Sequence, residues 1–431
     1  MAINLAPDVA VHGETIEFDW PALRIGCAEY AEGPTGVTAF VFPNKAKAAV
    51  DVRGGLPGSY NTDFLKLGYD LPTLDAIGVS GGSWYGLQAI SGIAAAMKAD
   101  GYYDGQLTRL ANVAGAIIYD YGDRRLNEVC PDVALGAAAY RAARAGVFPL
   151  GAHGAGRMAV QGMILGHALP SGQGGAFRQI GAVKIAAFAV ANPVGLVCDR
   201  KGRLLDPLGL LPEGIATLDQ ALAPMRLHPT TSPGAINPTN TTISLIVTNL
   251  RLPYSALNRL GVQVHAAMAR SIQPFACPLD GDVLFAASTD EVDDPSIELT
   301  ALGTIAADVM REALENVTRP RRYAPVSPIP AAGLDQLNGE FVFGEGFSAR
   351  VASEGDGLTL VNTGARSFHG VPTGQSARAR LGPDGRFSLS ESGYPAFRDG
   401  AFLAGANGAP DRMITNLGAW QQTGRARSTA I

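Results

Sequence analysis

The stretch that organises this chain is NTTISLIVTNL, residues 240–250. Its β-branched and aliphatic side chains predict a buried strand that begins at Thr241. The segment before it, HPTTSPGAINPTN at 228–240, contains three prolines and no hydrophobic period, so it predicts a loop. A hydroxyl group at this junction is placed to attack the carbonyl group of the residue before it. The junction therefore predicts a break between Asn240 and Thr241.

Such a break would give Thr241 a free α-amine. The ordinary pKa of an α-amine is about 7.7–8.0, so near neutral pH it accepts a proton from the hydroxyl of its own residue. Threonine with its own N-terminal amine is a recognised pair of nucleophile and base. An Asn-Thr-Thr sequence alone is weak support, because a threonine pair entering a strand is most often structural. Other segments of the chain are needed to distinguish a catalytic from a structural role of Thr241.

Hydrophobic runs and helical spacing outline a mixed α/β domain. Predicted strands lie at 37–42, 75–80, 114–120, 183–192 and 282–289. Predicted helices lie at 83–98, 132–145, 254–270 and 296–317. In 254–270, Leu257, Leu260, Val264 and Met268 share one helical face. Residues 320–330 are a proline-rich linker, and the turn-rich segment 331–431 predicts a small antiparallel β domain.

Composition excludes several classes of function. The net charge is −5 and no block of Lys or Arg occurs, so nucleic acid is not an expected partner. No apolar run is long enough to span a membrane, and the N-terminus lacks the pattern of a signal peptide. The histidines and cysteines show no metal-ligand spacing, and no cofactor is expected. Cys27, Cys130, Cys198 and Cys277 are scattered, which favours buried free thiols and a cytoplasmic location.

Seven segments stand out in order along the chain: DVRGGLPGSYNTD (51–63), DAIGVSGGSWYGL (75–87), AGAIIYDYGDR (114–124), LGAHGAGRMAVQG (150–162), VANPVG (190–195), NTTISLIVTN (240–249) and LDGDVLFAAST (279–289). In order and spacing they resemble the autoprocessing L-aminopeptidase/D-amidase family, which includes β-peptidyl aminopeptidases and nylon-oligomer (6-aminohexanoate oligomer) hydrolases. The similarity runs from about residue 34 to 317 and looks closest to the nylon-oligomer hydrolases.

The resemblance implies a fold and a set of roles. The fold is an α+β layered, N-terminal-nucleophile-like αββα sandwich over residues 1–319, cut into an α chain (1–240) and a β chain from 241. Thr241 is implied as the nucleophile and Asn192 as the donor of a hydrogen bond to the oxyanion. Asp280 and Asp282, two apart in a strand-like segment, are expected to face the new amine. Tyr119 is implied beside the oxyanion or the substrate amine.

The same resemblance indicates the substrate and one departure from the family. Substrates would be small amides with a free amine: peptides, β-peptides or ω-amino acid oligomers. Ser83 and Trp84 are expected to line the pocket, and αβ units are expected to associate as a tetramer. Where the family often has a lysine after its Gly-Ala-Gly tract, this chain aligns Met163, with Arg157 and Lys184 the nearest basic residues in sequence. The resemblance gives residues 331–431 no role.

Three alternatives stay open at this point. Gly78-Val79-Ser80-Gly81-Gly82 fits the G-x-S-x-G elbow of an α/β-hydrolase serine esterase, with Ser80 as nucleophile and His228 or His265 as base. An acyltransferase of the ornithine-acetyltransferase type shares the self-cleaving threonine and passes the acyl group to an amine. A non-catalytic binding protein on the same fold would cleave itself without turnover.

Overall fold

The described residues form two compact units, one of sheets and helices and one barrel. The structure, a computed structural model, describes residues 5–30, 35–66, 73–102, 110–120, 129–162, 164, 169–206, 211, 214–227, 240–319, 336–342, 346–354, 357–365, 371–381, 386–389, 399–404, 410–415 and 418–425. Residues 228–239 of the predicted loop 228–240, the linker 320–330 and Met163 lie outside these ranges. The division of the chain at 320–330 stays a prediction.

The elements of the first unit follow the predicted order. Its strands are β1 (Thr15–Glu17), β2 (Arg24–Tyr30), β3 (Thr35–Val52), β4 (Ser59–Tyr60), β5 (Thr73–Ser80), β6 (Val113–Ile117), β7 (Arg144–Ala145), β8 (Val147–Pro149), β9 (Val160–Gln161), β10 (Leu169–Pro170), β11 (Gly172–Ile180), β12 (Val183–Asn192), β13 (Leu196–Val197), β14 (Thr241–Leu250), β15 (Ile272–Gln273) and β16 (Val283–Val292). Its α-helices are α1 (Leu87–Met97), α2 (Val133–Arg141), α3 (Leu218–Leu227), α4 (Tyr254–Met268) and α5 (Leu299–Glu315).

Within the described residues, ten strands form one sheet in the order β11-β12-β14-β16-β3-β5-β6-β4, in which β2 also pairs with β3 and β7 pairs with β2. The pairs β14–β16 and β5–β6 are parallel. Parallel neighbours need a crossover connection, and the chain supplies α4 for the first pair and α1 for the second. Strand β3 belongs to both halves of the sheet, and its register shifts between Val41 and Ala46, where Lys45 has φ 61°.

The two halves of the sheet share one core and so pack face to face, as the predicted sandwich requires. Alternate side chains of β12 divide between two cores. Ala186, Phe188 and Val190 enter the core between the halves, which also holds side chains of β5 and β6. Ile185, Ala187 and Ala189 enter the core beneath α4 and α5. The helices α1 and α2 cover the other half, where Ile90 and Ile93 approach Gly78. The predicted αββα layering is confirmed, with one continuous strand joining the two sheets.

Several predicted boundaries shift at element ends. The predicted helix at 83–98 begins with a 3-10 turn at Ser83–Gly86 before α1. The predicted helix at 132–145 ends at Arg141, and Arg144–Ala145 pairs with β2 instead. In contrast, β12 and β14 have the predicted bounds, because an uninterrupted buried apolar run leaves little doubt about its ends. The predicted face of α4 is confirmed: its four named side chains are all buried.

The second unit contains a closed antiparallel barrel, in agreement with the predicted β domain. Its strands are β17 (Gly339–Val342), β18 (Ser348–Glu354), β19 (Gly357–Asn362), β20 (Ser376–Leu381), β21 (Arg386–Leu389), β22 (Asp399–Ala404), β23 (Pro410–Thr415) and β24 (Gly418–Arg425). The barrel has a hydrophobic core of its own, which includes Phe341, Leu360, Phe387 and Phe402. Closure removes exposed strand edges.

We expect Phe188→Ala to destabilise the first unit by about 3–5 kcal/mol. The Phe188 ring lies 4.8 Å from the ring of Phe148 and 5.1 Å from that of Phe40, centroid to centroid, in the core between the two halves of the sheet. Urea denaturation followed by circular dichroism measures the change. Ile180→Ala, at an exposed end of the neighbouring strand, is the matched control and should cost less than about 0.5 kcal/mol. Equal losses in the two variants would contradict this account of the core.

Candidate active site

Thr241 lies where the sequence placed it, at the first position of β14. Its side chain is buried, and its hydroxyl donates a hydrogen bond of 2.5 Å to the carbonyl oxygen of Asn240. The structure is that of the uncut chain, so this carbonyl belongs to the peptide bond that joins Asn240 to Thr241. The hydroxyl is therefore already in contact with the group that it would attack.

A short β-bridge between Asn240 and Asp280 also holds the carbonyl of Asn240. The backbone N–H of Gly281 donates to the Asn240 carbonyl oxygen at 2.9 Å, and the Asn240 N–H faces the Leu279 carbonyl at 3.4 Å. A Cβ atom at residue 281 would lie 2.8 Å from the Thr241 hydroxyl oxygen. Only glycine fits so close to the hydroxyl. Sequence reasoning missed Gly281, because the tight approach exists only between residues 40 positions apart.

Asn192 ends β12 directly opposite Thr241 in the antiparallel register. Its side-chain oxygen accepts a hydrogen bond from the Val160 N–H at 2.9 Å, and its side-chain nitrogen donates to the Tyr119 carbonyl at 2.7 Å. These two bonds fix the orientation of the amide. A side-chain amide has two N–H groups, so Asn192 has the capacity for a second donation. Tyr119 reaches this group through its backbone, and its implied side-chain role stays a prediction.

Asp280 and Asp282 are fully buried beside the same junction. They were expected on one face of a strand, but they lie in the turn that precedes β16. Each carboxylate accepts two backbone N–H groups: Asp280 from Val194 and Cys277, and Asp282 from Thr242 and Ala276. The Thr242 contact is 2.6 Å and ties Asp282 to the residue after Thr241.

Burial dominates the protonation of this pair. Removal from water, and after it the charge of Asp280, raise the pKa of Asp282 to about 7, although the backbone N–H groups of Thr242 and Ala276 act in the opposite direction. Burial also raises the pKa of Asp280. Two carboxylates in one desolvated site resist carrying two charges. In the uncut chain the pair therefore holds a proton at mildly acidic pH.

The glycine loop after β3 supports the aspartate turn through its backbone. Arg53 and Gly54 donate their N–H groups to the Asp282 carbonyl at 3.0 and 3.2 Å, and Leu56 donates to the Asp280 carbonyl at 2.9 Å. A Cβ at Gly54 would lie 2.2 Å from the Asp282 nitrogen. The Arg53 side chain is partly exposed and bonds to Asp51. The loop therefore supports the site through its main chain.

The serine elbow does not present a nucleophile. Ser80 is fully buried, and its hydroxyl donates to the Gly81 carbonyl at 3.0 Å. His265 bonds instead to Asp51 at 2.9 Å, and His228 lies outside the described residues. The glycines after Ser80 pack against Asp120, which accepts the Gly82 N–H at 2.7 Å. The segment is a turn held by Asp120, a residue that sequence reasoning did not single out.

The other residues named in the sequence analysis are Met163, Arg157, Lys184, Ser83 and Trp84. Met163 lies outside the described residues. Arg157 is buried against Glu29 at 3.4 Å. Lys184 donates a hydrogen bond to the Asp19 carbonyl. It lies eight residues before Asn192 in β12, so the backbones of the two residues are about 26 Å apart. Ser83 is half-buried and Trp84 is 68 % exposed, with its ring next to Gly58. Their role in binding stays a prediction.

Two further sequence expectations concern metals and thiols. Among the described residues, no three histidine, cysteine, aspartate or glutamate side chains are grouped as a metal site would need. No disulfide joins any two of the four cysteines; Cys198 is buried and the other three are half-buried. Burial raises the pKa of the Cys277 thiol, next to Asp280, to about 12, so it stays protonated.

Comparison with known proteins agrees with this geometry. Residues 9–320 match the profile of peptidase family S58. The chain belongs to peptidase family S58. It is 40 % identical over 329 residues to the 6-aminohexanoate-oligomer endohydrolase of Kocuria sp. (strain KY2). The aligned region covers 73 % of this chain and 88 % of the relative. The enzyme of the same name from Paenarthrobacter ureafaciens shows the same identity and coverage.

Solved structures agree on the fold of this S58 peptidase. Burkholderia sp. β-aminopeptidase and the L-aminopeptidase D-Ala-esterase/amidase of Ochrobactrum anthropi each match with a TM-score of 0.50 at 18 % identity, over 72 % of this chain and 88 % of theirs. The second is described as a variant of the Ntn (N-terminal nucleophile) hydrolase fold. The predicted fold class and the prediction that the chain is an amide-hydrolysing enzyme are confirmed. No described helix of the S58 peptidase is long and apolar enough to cross a membrane.

The buried carboxyl pair makes the stability of the uncut chain depend on pH. An unfolded aspartate has a pKa of about 3.9. Because the pKa of Asp282 is near 7 when folded, the folded chain binds more protons between these values, and its stability falls as pH rises from about 4 to about 7. We expect Asp282→Asn to reduce this fall. Thermal melts from pH 4.5 to 7.5 would compare Thr241→Ala with Thr241→Ala/Asp282→Asn, both uncut. A difference between the two melting temperatures that stays constant over this range would contradict the assignment.

Proposed function

We propose that this S58 peptidase cleaves itself between Asn240 and Thr241 and then uses Thr241 to hydrolyse amide bonds. The observation that carries the proposal is the contact between the Thr241 hydroxyl and the Asn240 carbonyl at 2.5 Å. The burial of Thr241 at the start of β14 supports it further, because the hydroxyl has little freedom to leave this position. Cleavage yields an α chain of residues 1–240 and a β chain of residues 241–431, joined by one core.

Self-cleavage begins with an N→O acyl shift. The Thr241 hydroxyl oxygen bonds to the carbonyl carbon of Asn240, the carbon–nitrogen bond breaks, and the hydroxyl proton ends on the Thr241 nitrogen. Water then adds to the ester carbon, the hydroxyl returns to Thr241, and Asn240 leaves as a carboxylate. The buried carboxyl pair relays the hydroxyl proton: its protonated form gives a proton to the nitrogen and regains one from the hydroxyl.

Turnover repeats this chemistry on an external amide. The new α-amine takes the proton from the Thr241 hydroxyl, whose oxygen bonds to the substrate carbonyl carbon. The carbon–nitrogen bond of the substrate breaks, the ammonium gives its proton to the leaving amine, and water then hydrolyses the ester on Thr241. The second N–H of Asn192 stabilises the oxyanion. Asp280 and Asp282 lie next to the new amine and favour its ammonium form, which sets the pH at which the amine acts as a base. Because the family is one of peptidases, water rather than an amine is the proposed acyl acceptor.

The relatives indicate the range of substrates. Those at 40 % identity are named for hydrolysis of 6-aminohexanoate oligomers, and we propose small amides with a free amine for this enzyme: ω-amino acid oligomers, β-peptides or N-terminal peptides. Initial rates on a panel of 6-aminohexanoate oligomers and aminoacyl amides would test this. A cytoplasmic location and a tetramer of αβ units are further proposals from the sequence and the resemblance.

Purified protein should separate on a denaturing gel into fragments of 240 and 191 residues, with TTISL at the N-terminus of the smaller one. Thr241→Ala should abolish both cleavage and hydrolysis, because one hydroxyl serves both steps. Ser80→Ala, which removes the other strand-end hydroxyl, is the matched control and should still cleave. An intact chain with full activity, or activity lost only in Ser80→Ala, would contradict the proposal.

Asn192→Ala should lower kcat by about 10²–10³ with little change in KM, because the lost donor acts on the transition state. Asn192→Asp keeps the acceptor for the Val160 N–H but lacks the donor, so it should lose a similar factor. Steady-state kinetics, with a thermal melt to show that both variants remain folded, measure this. Wild-type kcat in either folded variant would rule out the proposed role of Asn192.

A further inference from the structure

The surroundings of Asn240 in the uncut chain indicate which acyl groups the enzyme accepts, an inference that rests on the proposed function. Self-cleavage and turnover both pass through an ester on the Thr241 hydroxyl oxygen. In the first reaction its acyl group is Asn240, and in the second it is the acyl part of the substrate. We propose that the position occupied by Asn240 in the uncut chain is the acyl subsite of the mature enzyme, with the Gly281 N–H as a donor to the substrate carbonyl.

The geometry of this subsite is built by the aspartate turn. The Asn240 carbonyl lies between the Thr241 hydroxyl, at 2.5 Å, and the Gly281 N–H, at 2.9 Å. The Leu279 carbonyl faces the Asn240 N–H. When Asn240 leaves, the Gly281 N–H and the Leu279 carbonyl lose these partners, as a strand edge does when its neighbour is removed. A substrate acyl group that lies along the same edge restores the bond to Gly281.

Gly281 is thus a second donor, distinct from Asn192. Asn192 offers a side-chain N–H from the β12 side of Thr241, whereas Gly281 offers a backbone N–H from the turn before β16. Charge that develops on a carbonyl oxygen is stabilised by donors already in place. The bond from Gly281 exists before any reaction, so this donor is preorganised for the first acyl group that Thr241 handles.

The side-chain part of the subsite is closed and offers Asn240 little polar contact. Asn240 is only 5 % exposed, and its side-chain nitrogen is buried with no hydrogen-bond partner among the described residues. Asp280 and Asp282 are two more buried carboxyl groups next to this position, and such a group of carboxyls resists any further negative charge. A carboxylate in this position would be desolvated and repelled, whereas a methyl group would leave no polar atom unpaired. The subsite therefore favours small uncharged acyl side chains and rejects acidic ones.

A comparison of two rankings tests the proposal. The first ranking is the half-life of self-cleavage in the wild type, Asn240→Ala and Asn240→Asp, read from denaturing gels. The second is kcat/KM of the mature wild-type enzyme on asparaginyl, alanyl and aspartyl p-nitroanilides. We expect the same order in both, with alanine at least equal to asparagine and aspartate at least tenfold slower. An aspartyl anilide hydrolysed as well as the alanyl one, while Asn240→Asp cleaves slowly, overturns the acyl subsite and leaves the proposed function intact.

Gly281→Ala provides an independent test. Its Cβ would lie 2.8 Å from the Thr241 hydroxyl oxygen and 2.7 Å from the Leu56 carbonyl oxygen, so it obstructs the subsite. We expect at least a hundredfold loss in both cleavage and turnover. Gly101→Ala is the control for the loss of a glycine as such: nothing lies within 4 Å of its Cβ position, although its φ of +87° strains an alanine. Cleavage of Gly281→Ala at the rate of Gly101→Ala overturns the subsite. If the wild type itself never cleaves, the proposed function fails together with this inference.

Discussion

The antiparallel pairing of β12 with β14 is the constraint on which the site depends. All ten residues of β14 are buried, because the strand lies in the middle of the sheet and is covered on both faces. A slip of one residue would move every side chain to the opposite core. The two cores differ, one lined by aromatic rings and the other by helices, so the register has one solution. That solution sets Thr241 opposite Asn192 and fixes the hydroxyl against the preceding carbonyl.

The buried carboxyl pair gives the uncut and cut chains different electrostatics. Before cleavage, Asp280 and Asp282 are satisfied by four backbone N–H groups, and burial keeps their pKa values high. In the proposed mature enzyme a new ammonium group appears next to them, and an opposite charge favours the carboxylate. The same two residues would then serve as an acid during cleavage and as the counter-charge of the amine during turnover. The backbone that holds them need not move between these roles.

The sequence predicted the elements well and the contacts less well. Apolar runs gave the bounds of β12 and β14, and the motif order predicted the layered fold. However, the closeness of Asn192 and Thr241 depends on strand register, which no local pattern encodes. The roles of Gly281 and Gly54 are approaches of backbone to backbone, measurable only in three dimensions. The loop of Arg53 and Gly54 acts through main-chain N–H groups, to which residue type gives little clue.

Two hydroxyl groups at strand ends are candidate nucleophiles, and their hydrogen bonds distinguish them. The Ser80 hydroxyl donates to the carbonyl of Gly81, the residue after it, at the end of β5. The Thr241 hydroxyl donates to the carbonyl of Asn240, the residue before it, at the start of β14. An N→O shift forms a five-membered ring, and only the preceding carbonyl carbon is within that ring. The direction in which the chain enters the sheet therefore decides which hydroxyl lies against the carbonyl before it, as the proposed reaction requires, and which one closes a turn.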